Sequence, residues 1–281
     1  MNQKLTSVYG LKFHPFRPDV PLEALFTIPS VDAFCRRVEF GLADGGFVLL
    51  TGDPGTGKSV ALRLLTHRLR QQREVVVGTI DHPQSRVSDF YRELGDVFGV
   101  PLTLHNRWGG FKALRARWSD HIAQTLVRPV LIVDEAQEML DSVFSELRLL
   151  SSKELDSRSL LSVVFAGDSR LPERFRKQEL LPLGSRIHRR LVLDYAPREE
   201  LLACLDHLLE AAGNPSLMTT ELKTTLAEHA AGNYRILMNL ADDLLSAALE
   251  RGQAELDEKL YFDVFAPPQP KKPQQKKAVP R

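Results

Sequence analysis

Eight consecutive residues, Gly52-Asp53-Pro54-Gly55-Thr56-Gly57-Lys58-Ser59, constrain this chain more than any other stretch. Three glycines in so short a run permit positive φ and close backbone approach, which turns successive amides toward one point. Residues 47–51 ahead of it form a short apolar strand pattern, and Val60, Leu62, Leu65 and Leu69 behind it recur at helical spacing. Strand, glycine loop and helix, in that order, make an anion cradle at the positive end of a helix. Lys58 can then reach the outer phosphates of a nucleoside triphosphate, and Ser59 offers a hydroxyl to the accompanying metal. ATP and Mg²⁺ are therefore the expected ligands, held by Gly52, Asp53, Pro54, Gly55, Thr56, Gly57, Lys58 and Ser59.

A second pattern supplies the chemistry that a phosphate cradle lacks. Val130-Leu131-Ile132-Val133-Asp134-Glu135 has four apolar residues to bury a strand and two carboxylates at its end. On its own this reads more readily as a strand that stops in a solvated acidic turn. Beside the glycine loop it predicts that Asp134 holds the Mg²⁺ shell through water, while Glu135 orients or deprotonates the water attacking the γ-phosphate. The expected reaction is ATP and water to ADP and phosphate.

Further strands are predicted at residues 75–80, 160–166 and 191–193, and helices at 31–43, 87–98 and 111–126. Alternating strands and helices imply an α/β fold with a parallel central sheet and ligands at the strands' C-terminal ends. From about residue 196 the strands stop, and residues 197–212, 220–229 and 234–251 form three amphipathic helical stretches. The organisation read from this is an N-terminal extension with a first helix at 1–45, a nucleotide-binding domain at 46–195, a helical domain at 196–265 and a basic tail at 266–281. The proline- and aromatic-rich residues 9–29 are ordered only if they pack on something. Lys271, Lys272, Lys276, Lys277 and Arg281 lie in the tail with no acid. Disorder is expected there, and a phosphate-backbone contact and a solubilising terminus are equally good readings.

Over 281 residues, 43% are hydrophobic and 26% charged, the balance of a soluble globular chain. No apolar run approaches the roughly 20 residues of a membrane helix, and no apolar segment follows the first residues, so a cytoplasmic protein without a membrane partner is expected. Cys35 and Cys204 each sit in an apolar helical pattern and read as core residues. His67, His82, His105, His121, His188, His207 and His229 show no ligand spacing, so no metal other than Mg²⁺ is expected.

Several shorter stretches complete a resemblance. They are Gly10-Leu11 and Pro15-Phe16, Gly46 running into the glycine loop, Asp134-Glu135-Ala136-Gln137, Gly167 to Leu171, Ser185-Arg186-Ile187 and Gly232-Asn233-Tyr234-Arg235-Ile236. In this order and spacing, over nearly residues 8–250, the chain resembles the AAA+ ATPases of the ExeA type, a group that includes transposition regulators similar to TnsC, TniB and the phage Mu B protein. The resemblance implies a three-layer P-loop domain with a parallel central sheet, followed by a small all-helical lid. It implies that Arg186 is an arginine finger serving a neighbouring subunit, with Arg189 and Arg190 as competitors, and that Arg235 is the sensor-2 residue of the lid. Pro15-Phe16 would pack near the adenine. At the sensor-1 position many relatives carry an amide, whereas this chain has Asp168-Ser169, so one of these must contact the attacking water or sensing there is weakened. A carboxylate so near the γ-phosphate is unfavourable unless a metal or an arginine offsets it.

Residues 107–118 hold four cations, three aromatics and no acid. The Gly109-Gly110 pair suggests a mobile loop, and in AAA+ rings this region tends to face the channel, so Arg107, Lys112 and Arg115 are candidate DNA contacts. The other reading makes Phe111, Leu114 and Trp118 core residues and the cations their solvated face. The leading function implied is an ATP-dependent regulator of DNA transposition. It would oligomerise in the ATP state as a ring or filament with six subunits per turn, bind double-stranded DNA and recruit a transposase. The alternatives are an ExeA-like secretion or cell-envelope ATPase and a helicase- or clamp-loader-type protein. Secretion relatives add membrane and wall-binding portions for which residues 252–281 leave no room, an expectation that favours the DNA role.

Overall fold

The computed structural model describes residues 2–80, 83–102, 107–154 and 157–265. Helices Asn2–Tyr9 (α1) and Pro29–Phe40 (α2) precede the strand Gly46–Gly52 (β1), which runs through the glycine loop into Lys58–Arg70 (α3). Val75–Ile80 (β2), Val87–Phe98 (α4), Arg107–Thr125 (α5) and Arg128–Val133 (β3) follow. Next come Asp141–Ser151 (α6), a minimal hairpin of Ser152–Lys153 (β4) with Arg158–Ser159 (β5), and Ser162–Gly167 (β6). Arg170–Arg174 (α7) and Leu181–Gly184 (α8) lead to Ile187–Leu193 (β7). Arg198–Ala212 (α9), Thr220–Ala230 (α10), Tyr234–Arg251 (α11) and Glu258–Phe265 (α12) then form the helical lid.

Five strands pair in the order β2-β3-β6-β1-β7, every pairing parallel. Their side chains alternate between two cores. Phe47 and Leu49 of β1, with Leu131, Val133, Val163 and Phe165, face α4, α5 and α6. Val48 and Leu50, with Val130, Ile132, Val164 and Ala166, face α2 and α3. Burial on both faces explains why these strands read as continuous apolar runs. Because all run the same way, their C-terminal ends share one edge. Thr51 lies beside Gly167 and Val133 beside Phe165, so the glycine loop, Asp134-Glu135 and Asp168 converge there.

The Gly109-Gly110 pair does not open a mobile loop, since α5 runs straight through it. Gly110 is buried, and a Cβ there would stand 3.4 Å from Tyr91 Cδ1 and 3.6 Å from Leu102 Cδ1. Those are ordinary contact distances, so Gly110 sits in α5 as a packed position beside α4. Leu114 and Trp118 are fully buried and Phe111 packs beside them, so the apolar side of this segment is core.

Helices α1, α6 and α12 and the short α7 and α8 have no counterpart among the helices predicted from the sequence. The N-terminal proline- and aromatic-rich segment has found its partner in the lid, where Leu5, Tyr9, Leu11 and Phe16 share one core with Leu205, Leu222, Leu237 and Leu260. Tyr9 hydroxyl donates to Gln253 O at 2.9 Å, Asn214 Nδ2 donates to Tyr9 O at 2.9 Å, and Lys12 N–H donates to Ala212 O at 2.8 Å. Cys35 and Cys204 are buried, and burial pushes their thiols up to about 11 and about 12. The basic tail lies outside the described residues, as do His82 and His105. Among the described residues no helix is long and apolar enough to cross a membrane.

Candidate nucleotide site

Gly55 at φ 88° and Gly57 at φ 98° take the left-handed conformations that aim the loop's amides inward, and Gly57 caps the N-terminus of α3. Gly52 serves differently from its two companions. Its φ is not positive, but a Cβ there would stand 2.5 Å from both Leu193 O and Thr56 Oγ1, so that glycine is required by space. Lys58 Nζ donates to Gly52 O at 2.8 Å and Asp53 O at 3.1 Å, and Thr56 Oγ1 donates to Asp53 O at 2.9 Å. The ammonium is thus held under the loop where phosphate oxygens would lie.

Above it opens a cavity of about 580 Å³. The loop and the start of α3 form its floor, and Phe16, Leu25, Phe26, Ile28, Leu208 and Met238 form an apolar wall. Lys58, Glu135, Asp168 and Arg235 bring charge to it. Gly52, Asp53, Asp134, Ser169 and Arg186 are not among its lining residues. An apolar wall suits a purine, and the cationic, amide-rich floor suits a polyphosphate. The Ser59 hydroxyl on the floor and the Asp134 carboxylate at the end of β3 are the hard oxygen donors a Mg²⁺ ion takes, the remaining positions falling to water and phosphate. Bound there, the metal would neutralise charge developing on the phosphate oxygens.

Glu135 has φ 50° and ψ 37°, a left-handed conformation that costs about 1–2 kcal/mol for a residue with a side chain. Its N–H donates to Asp134 Oδ1 at 2.9 Å, and its Oε2 accepts from Gln137 Nε2. Gln137 Oε1 in turn accepts the Asp168 N–H at 3.2 Å. Asp168 has the arginine its position demands. Arg170 Nε donates to Asp168 Oδ2 at 2.8 Å, Arg170 N–H donates to Oδ1 at 2.9 Å, and Arg170 Nη2 reaches Glu138 Oε1 at 2.9 Å. Burial alone would raise the Asp168 pKa, yet the bonds and charge of Arg170, with Lys58, hold it below the usual carboxylate value.

Arg235 opens α11 and is exposed into the cavity. Beside it Asn233 joins the lid to the glycine loop. Its Oδ1 accepts the Ile236 N–H at 3.1 Å and so caps α11, while its Nδ2 donates to Pro54 O at 2.9 Å. Tyr234 N–H donates to Gly55 O at 3.0 Å. Arg186 immediately precedes β7, whose first residue Ile187 pairs with Phe47, five residues before Gly52. That separates it from its own glycine loop by roughly 17 Å of strand. Arg189 lies 3.7 Å from Asp44, and Arg190 Nη2 donates to Gly184 O at 3.3 Å.

The three candidate DNA contacts have different surroundings. Arg107 pairs with the buried carboxylate of Glu146, which also accepts from Tyr91 hydroxyl at 2.7 Å. Arg115 donates to Leu149 O at 2.8 Å and also to Ser152 O, where α6 ends. Lys112 Nζ rests 5.0 Å above the exposed Trp108 ring, itself stacked on Phe111 at 5.5 Å. Sequence reasoning singled out neither Gln137 nor Asn233 by role, although both fall within stretches that carry the resemblance.

Residues 42–175 match the family model of the AAA domain. The chain is similar to General secretion pathway protein A of Aeromonas hydrophila, 31% identical over 256 residues, which is 89% of this chain and 46% of that protein. It therefore spans about half the length of this curated relative. Among solved structures it is similar to Cdc6p from Pyrobaculum aerophilum, with a TM-score of 0.69 at 14% identity over 86% of this chain and 67% of that one. Drosophila ORC bound to DNA gives a TM-score of 0.67 at 17% identity over 94% of this chain and 65% of that one. With its five parallel strands, glycine loop and helical C-terminal part, the chain has the AAA+ P-loop fold, and it is residues 42–175 of that fold that match the AAA domain.

Proposed function

We propose that the chain is a Mg²⁺-dependent ATPase that assembles through Arg186 and acts in its ATP state on double-stranded DNA as a regulator of transposition. The observation that carries the ATPase reading is the single cavity shared by Lys58, Ser59, Glu135, Asp168 and Arg235. In it Lys58 and the loop amides hold the β- and γ-phosphates. Glu135 takes the proton of the attacking water, and Arg235 links the γ-phosphate to the lid. Arg186, too far along the sheet to serve its own site, would complete a neighbour's. Assembly into a ring or filament follows from that division.

The DNA role is supported by the resemblance to transposition regulators and by the exposed Trp108 and Lys112 on α5. ATP would place the oligomer on DNA and present it to a transposase, and hydrolysis would release it. A second reading, a secretion ATPase, is favoured by the similarity to General secretion pathway protein A. Glu135→Gln should retain ATP binding while turnover falls at least about 100-fold. Gel-shift and sedimentation with a nonhydrolysable ATP analogue then separate the two roles. Analogue-dependent binding to duplex DNA of any sequence supports the first, and assembly with no affinity for DNA removes it in favour of the second. Oligomers whose hydrolysis is unchanged by Arg186→Ala would exclude the trans arginine.

A further inference from the structure

We propose that Gln137 is the positioning residue of the hydrolytic site, holding the Glu135 carboxylate in place from the tip of β6. This rests on the ATPase reading and adds a residue that acts through Glu135. Gln137 is buried, 8% exposed, in the single turn Ala136–Glu138 that follows β3. Its amide is used at both ends, Nε2 donating to Glu135 Oε2 and Oε1 accepting the Asp168 N–H at 3.2 Å. Its backbone carbonyl is tied as well, by Arg174 Nη1.

A second, independent observation concerns the space for this bridge. Gly167 has no positive φ, so conformation does not demand glycine there. A Cβ at 167, however, would stand 2.5 Å from Gln137 Oε1 and 3.4 Å from Gln137 N. The end of β6 is bare at the point where the amide crosses it. Glu135 needs such a holder, because its backbone is in the left-handed region and its side chain is exposed to the cavity. An exposed carboxylate samples several rotamers, and one hydrogen bond from a buried, doubly anchored donor selects among them. The bridge also joins Glu135 to the strand end that carries Asp168 and Arg170, so a shift of that loop moves the carboxylate.

Two measurements test this. In kinetics, Gln137→Ala and Gln137→Glu should lower kcat by about tenfold to a hundredfold, the worth of a bond to a charged group, while the KM for ATP changes less than about threefold. The loss should vanish when Glu135 is already Gln, because a positioning residue acts only through its client. Equal losses in both backgrounds, or a kcat at the parent value, overturn the proposal. The second measurement needs no turnover. In the ¹⁵N-labelled protein without nucleotide, the Gln137 side-chain NH₂ signals, assigned by their absence in Gln137→Ala, should exchange slowly with water and move in Glu135→Ala. Signals of a free amide, indifferent to Glu135→Ala, overturn it whether or not the chain hydrolyses ATP. A parent that does not hydrolyse ATP but gives the slow, Glu135-dependent signals instead removes the ATPase reading and leaves the bridge standing.

Discussion

Gly55→Ala probes the junction between the lid and the glycine loop. An alanine at φ 88° is strained by about 1–2 kcal/mol. Its Cβ would also stand 2.0 Å from Asn233 Oδ1 and 2.7 Å from Asn233 Nδ2, so the asparagine must leave. Losing it removes the cap of α11, worth about 1 kcal/mol, and the bond to Pro54 O, worth about 1 kcal/mol more. Gly55→Ala should therefore destabilise by roughly 3–4 kcal/mol and lower the melting temperature by roughly 10 °C. Asn233→Ala alone should cost about 2 kcal/mol for the same two bonds. Once Asn233 is gone the clash has nothing to strike, so the double variant should melt where Gly55→Ala does. Calorimetry on the four proteins decides it. Additive losses, with the double variant roughly 2 kcal/mol below Gly55→Ala, would show that the alanine displaces something other than Asn233.

The α5 cations should part company. Lys112→Ala should leave stability unchanged and lower the salt slope of DNA binding by about one unit, read by titration at several salt concentrations. Arg115→Ala should instead destabilise by about 1–3 kcal/mol, since it strips a donor from carbonyls at the end of α6, and denaturant unfolding will register it. Arg107→Ala leaves the buried Glu146 carboxylate with a donor from the Tyr91 hydroxyl but without its countercharge and should cost a similar amount, recovered in part by Arg107→Ala combined with Glu146→Gln. Burial holds His14 below its usual value, with Arg17 acting the same way and Asp242 and Asp19 opposing. A depressed folded pKa gives stability that is full above the unfolded value of 6.5 and lost as pH falls through the folded one. Melting temperatures taken from about pH 7.5 down to about pH 5 should fall more steeply for the parent than for His14→Gln.

The nucleotide cradle was legible because its requirements are local: the glycines at 55 and 57, Lys58 and the flanking apolar residues all fall within two dozen positions. The parallel sheet was legible for the same reason, since strands buried on both faces spell themselves as apolar runs. What escaped was decided by partners remote in sequence. Nothing near Arg115 indicates that carbonyls 34 to 37 residues later will occupy it. Gly109-Gly110 has the composition of a flexible joint, and only the approach of Tyr91 and Leu102 makes Gly110 a packing residue. Asp168 is the exception, its partner Arg170 lying only two residues on, but sequence alone does not say that this side chain folds back onto the carboxylate. Gln137 carries no chemistry of its own, so its part appears only when the ends of β3 and β6 are side by side.

The shared core of the N-terminal segment and the lid sets the order in which the molecule can be completed during synthesis. Tyr9 waits for Gln253, 244 residues downstream, which at ribosomal speeds of about 5–20 residues per second is roughly 10–50 s. Until residues 196–212 have been made, Leu5, Tyr9, Leu11 and Phe16 have none of their lid partners, while the sheet domain can already form between them. Closing so long a loop is a slow step, and it comes last. The apolar wall of the cavity is built from both sides of that closure, Phe16 and Phe26 from one and Leu208 and Met238 from the other. A nascent chain therefore has a phosphate cradle well before it has a complete seat for the base, and nucleotide can act as a late folding ligand, drawing the two ends of the chain together.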